Sequence, residues 1–172
     1  YSTQLIVSAN PIILGEVFYG YAVVTVFVLF VISVFTAVLM LTKRLLNMNR
    51  AERYIMAVGV TVSLFLFIHT AQEGLYWYNG EVHYTFMHGL MLLLIAVIVE
   101  IFWTRTGLQS AFLMIIASFL SIAIAGSNFV TILQGLLLFL TLIVLGIIAR
   151  KKKTFFLILP MICYTVGFYK NV

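Results

Sequence analysis

The chain carries three histidines and five glutamates, and six of these eight groups lie toward the same end of its apolar segments. His69, Glu73, Glu81, His83 and His88 fall in one twenty-residue stretch, and Glu16 lies near the start of the first apolar run. His69 and Glu73 are four residues apart, so on a helix both project from one face. Buried ionisable groups in apolar segments are costly and mark a cavity, a partner or a pathway. Three chemistries suit such a set. Two neutral imidazoles, His69 and His88, can serve as axial ligands of a b-type haem held between neighbouring helices. His69, Glu73, His88 and Glu16, with His83 in reserve, could instead bind copper, zinc or iron, which accept mixed imidazole and carboxylate ligation. The same groups could also relay protons to a quinol-type partner. Glu81 reads as a plain loop acid between two helices. Thr131 and Gln134 are candidates to line a cavity or to join helices.

These residues must be positioned by membrane helices. Hydrophobic residues make up 64% of the 172 and charged residues 9%, against about 45–50% and about 25% in an ordinary soluble domain. The basic residues group as Lys43, Arg44, Arg50 and Arg53, then Arg105, then Arg150 to Lys153, with only Lys170 apart. Long apolar runs separate them. Charge confined to every second connection is the mark of a polytopic membrane protein. The expected fold is therefore all-α: a single transmembrane bundle over 1–172 with about six spans, at 12–41, 54–78, 84–103, 108–125, 129–149 and 155–169. The first is longer than an upright span requires, and Pro11 suits its first turn. The sixth is short and contains Pro160, so an interfacial or re-entrant segment is its alternative.

The same charge pattern predicts cytoplasmic connections at 43–53, 105 and 150–153, with the N-terminus and the candidate site toward the outer face. The chain begins at Tyr1, and removal of a leader would put that end outside as well. At about 1.5 Å per residue, His69 lies roughly 13 Å below the outer end of its helix, Glu73 roughly 7 Å and His88 roughly 6 Å. Glu16 is expected at a similar level. Asn49 is expected to cap a helix with Glu52 in its first turn. Gly126–Asn128 should form a tight turn. Ala117, Ser121 and Ala125 form a small-residue stripe that admits another helix, from this chain or from another subunit.

Several activities lack their residues. There is no glycine-rich phosphate loop, zinc-protease signature, cysteine pair or nucleophile elbow. No lysine lies within a span to carry a Schiff base. The net charge of +5 is accounted for by topology, so nucleic acid is not an expected partner. The expected partners are the bilayer and other membrane subunits. The leading expectation is an integral subunit of a membrane redox or respiratory-type complex carrying a haem or metal site. A non-catalytic scaffold subunit is the alternative, and a small transporter or channel using Glu73 and Gln134 is a third reading.

Overall fold

In the computed structural model the described residues are 6–8, 11–66, 77–104, 107–148 and 152–169. Among them there is no strand. Among the described residues four helices are long and apolar enough to cross a membrane, and a shorter apolar segment follows them. The protein is an all-α membrane helix bundle.

Helix α1 runs over Glu16–Leu45. Its 30 residues rise about 45 Å, well beyond the roughly 30 Å hydrocarbon layer. It begins later than the sequence suggests because Gly15 has φ of +115°, a conformation that side-chain-bearing residues avoid. Pro11–Leu14 form a separate 3-10 turn before that break. After α1, Asn47 takes a positive φ, and Asn49 and Glu52 cap the next helix reciprocally. Asn49 Oδ1 accepts from the Glu52 N–H at 3.0 Å, and Glu52 Oε2 accepts from the Asn49 N–H at 2.9 Å. This capping box starts α2, Arg50–Leu66.

Helix α3 spans Tyr78–Trp103 and differs from expectation at its start. Residues 79–83 were expected to be a connection and the helix to begin at Tyr84. Instead the chain is helical from Tyr78, with a π-helical stretch at Glu81–Phe86 before regular α-helix over Met87–Trp103. Asn-Gly permits a tight turn without compelling one, and Gly80 holds ordinary helical angles, φ −65° and ψ −44°. Winding on through Gly80 lets Tyr78 and Val82 bury against Tyr19, Ala22, Val23 and Val26 of α1, a hydrophobic gain a loop would forgo.

Helices α4, Gly107–Ala125, and α5, Phe129–Ile148, follow the expected bounds closely. Asn128 caps α5, its Oδ1 accepting from the Thr131 N–H at 3.0 Å. The last segment is a 3-10 helix, Lys152–Leu157, leading into α6, Ile158–Tyr169. Its reach explains how so few residues approach a membrane's thickness. Six residues at about 2.0 Å and twelve at about 1.5 Å together rise about 30 Å. The buried positions follow the change of helix: Thr154, Leu157 and Pro160 recur every three residues, and Tyr164 follows after four. Pro160 is the third residue of α6, just past the change from 3-10 to α winding.

The packing order is α2 on α1, α1 on α3, α3 on α4 and α4 on α6. Leu94, Ile98 and Ile101 of α3, Ile124 of α4, Phe139 of α5 and Tyr164 of α6 form the main core. The stripe Ala117, Ser121 and Ala125 is fully buried within the chain. α6 takes the place another subunit was considered for: a Cβ on Gly167 would sit 2.8 Å from that of Ala125. At one end of the bundle, Arg44 of α1 grips Glu100 of α3 with two hydrogen bonds, Nε to Oε2 at 2.7 Å and Nη2 to Oε1. Close by in sequence, Lys153 Nζ donates to the carbonyls of Ile101 at 3.1 Å, Phe102 at 3.4 Å and Thr104, closing the C-terminus of α3.

Candidate functional site: a groove at His88 and a buried acid

The close approach of α1 to α3 places His88. Its neighbour Gly89 lies against α1 so tightly that a Cβ there would meet Phe30 Cδ2 at 2.9 Å and Phe30 Cα at 3.4 Å. His88 is half-buried beside this crossing. Its Nδ1 lies 2.7 Å from the carbonyl oxygen of Tyr84. A carbonyl can only accept, so Nδ1 carries the proton, and in the neutral ring Nε2 is left as acceptor or ligand. The π-helical stretch ends at this point: the same Tyr84 carbonyl also accepts from the Met87 backbone N–H.

His88 lines a groove of about 640 Å³ between α1, α2, α3 and α5. Phe30, Leu64, Met91 and Leu138 give it apolar walls, while Thr85, His88, Gln134 and Thr141 supply side-chain polar groups. This is the composition of a small-molecule site: mostly apolar, with a few polar groups that fix orientation. Gln134 is thus a cavity-lining residue, and Thr131 has a different task. Its backbone carbonyl and that of Ile132 accept from the Tyr164 hydroxyl at 3.1 and 3.0 Å.

The candidate ligands do not all converge. His69 and Glu73 lie outside the described residues. Glu16 is exposed at the start of α1, fourteen residues before Phe30, which borders the groove with His88. That separation is about 21 Å along the helix, so Glu16 is not level with His88. The sequence estimate placed His88 near the helix end because it began the helix at Tyr84. Starting at Tyr78, His88 is ten residues in, about 15 Å deep. His83 lies between: its carbonyl accepts from Asn128 Nδ2, and its ring is 6.5 Å from that of Tyr84. No cluster of three or more His, Cys, Asp or Glu suited to a metal ion occurs among the described residues.

The structure adds a residue that the loop reading passed over. Glu81 is fully buried, and both its carboxyl oxygens lack a hydrogen-bond partner among the described residues. Its backbone N–H continues the helix, donating to the Trp77 carbonyl at 2.8 Å. The signal available in the sequence was the apolar pair Tyr78 and Val82, one helical turn apart, which argues for helix across Asn79 and Gly80.

Fold and groove together define a polytopic membrane bundle with a candidate intramembrane ligand site. No protein-family model, curated protein or solved structure matches the chain.

Proposed function

We propose that the protein is an integral subunit of a larger membrane redox assembly and binds a b-type haem in the groove beside His88. The observation that carries this reading is the fixed imidazole. With Nδ1–H held by the Tyr84 carbonyl, Nε2 is the nitrogen free to ligate iron, the arrangement in which a ligating histidine is oriented by its other N–H. The apolar walls of the groove suit the faces of a macrocycle. Leu64, which borders the groove, precedes His69 by five residues on the same apolar segment, and His69 is the proposed second axial ligand. A bare copper, zinc or iron ion is less well served, because Glu16 is remote from His88. The bound haem would supply one-electron transfer, and the chain would supply ligation, orientation and exclusion of water.

On this reading the ends bearing Lys43, Arg44, Arg53 and Lys153 face the cytoplasm, and the end at Trp77 faces outward. The exposed apolar faces of α4 and α5, including Phe112, Phe119, Leu133 and Leu140, meet lipid or neighbouring subunits. The test is a reduced-minus-oxidised absorption spectrum of protein purified with its tightly bound partners. His88→Ala should remove the haem band, with haem content falling at least tenfold at equal protein. Unchanged haem content in that variant would sink the proposal. No haem in the unaltered protein would favour a scaffold subunit.

A further inference from the structure

We infer that Glu81 is a proton-exchange site within the membrane: a carboxylic acid held neutral by its surroundings and reloaded from the aqueous phase at the Trp77 end of the bundle. The inference stands on the environment of the side chain and does not depend on the haem reading. Glu81 has no exposed surface, and neither carboxyl oxygen meets a donor among the described residues. An ionised carboxylate in an apolar interior requires a cation or several donors. Among the described residues, no Lys or Arg side chain packs around it. Val26, Tyr78 and Val82 form the buried cluster at this point, with Ile6, Val7 and Tyr19 against it. Among the described residues, the titratable groups at this point are Tyr78 and, two residues after Glu81, His83 of α3, and Tyr19 of α1, and the N-terminal ammonium is near enough to act on His83. An unpaired acid there is accommodated as the neutral form.

Two features make the site more than a buried acid. First, Glu81 opens the π-helical stretch Glu81–Phe86, and such stretches concentrate at functional positions because they displace side chains from helical register. Second, it lies near one end of the bundle. Glu81 is four residues from Trp77, about 6 Å along the helix, and Trp77 is exposed. The cover over this end is tied down by a long hydrogen bond, Tyr78 Oη to the Ile6 carbonyl at 3.4 Å. In the exchange, the Glu81 O–H bond breaks as the proton passes to water entering from that end, and the returning proton re-forms it. No oxidant or reductant is involved.

The test is infrared spectroscopy of the full chain in lipid nanodiscs, comparing the unaltered protein with Glu81→Gln. A protonated-carboxyl C=O band present in the first and absent from the second is expected, and that band should shift when H₂O is replaced by D₂O. Absence of the band would show an ionised, paired carboxylate and overturn the inference. A band unmoved by prolonged D₂O exposure would overturn the exchange. If Glu81→Gln fails to fold, the unaltered protein is treated with a membrane-permeant carbodiimide at several pH values and the adduct located by mass spectrometry. Labelling of Glu81 that a water-soluble carbodiimide does not reproduce is the supporting result; no adduct on Glu81 at any pH is the refuting one.

Discussion

Replacing Gly135 with Ala should destabilise the bundle, although alanine is the better helix former. A Cβ at this position would lie 2.1 Å from Tyr164 Oη, 2.4 Å from Cζ and 2.7 Å from Cε2. All three atoms belong to one rigid phenol, so no rotation of a flexible tip relieves the overlap. The ring is fully buried, packs edge-on to Phe139 at 5.5 Å, and donates to the carbonyls of Thr131 and Ile132. Accommodating one extra carbon in a packed core costs about 1–3 kcal/mol. Moving the phenol sacrifices hydrogen bonding of about 1 kcal/mol more. Against this, alanine gains about 1 kcal/mol over glycine in helix propensity. The net expectation is a loss of about 2 kcal/mol. In a Tyr164→Leu background the ring is gone, so the same substitution should become neutral or stabilising. Equilibrium unfolding in mixed micelles, followed by circular dichroism, measures both changes. Gly135→Ala costing nothing in the unaltered protein, or costing the same in both backgrounds, would refute the reasoning.

Two further substitutions probe the opposite end of the bundle. The Arg44–Glu100 pair is half-buried, 25% and 21% exposed. Arg44→Met alone strands a carboxylate and should cost about 1–3 kcal/mol. Adding Glu100→Met should recover part of that loss, giving a coupling of about 1–2 kcal/mol in a double-mutant cycle; additive losses would show that the pair contributes nothing. Lys153→Met removes the donor to three carbonyls at the end of α3. It should cost about 1–2 kcal/mol and speed amide hydrogen exchange in the last turn of α3, and unchanged exchange there would discount the cap.

The membrane class, most helix bounds and the Asn49–Glu52 cap were legible because charge placement, hydropathy and capping chemistry are local. The start of α3 was not. Asn79-Gly80 is a turn signal by itself, and what overrides it is burial of Tyr78 and Val82 against α1, a contact more than fifty residues away in sequence. That single boundary misplaced His88 by about two turns and turned Glu81 from a buried acid into a loop residue. The small-residue stripe on α4 was readable as a contact surface, but its occupant was not. Both candidate occupants are helices, and only tertiary packing distinguishes α6 from another chain.

The 3-10 stretch Lys152–Leu157 makes the length of the last segment adjustable. Rewound as α-helix, those six residues would shorten it by about 3 Å. They would also lose their three-residue alignment, drawing Thr154 away from Gly146, which lacks the Cβ that would otherwise occupy its place. Lys153 would swing off the carbonyls that end α3. Accommodation to a thinner bilayer therefore carries a cost in the contacts between α3, α5 and the last segment. The preferred lipid thickness of this protein is written into its helix type as well as into the number of its apolar residues.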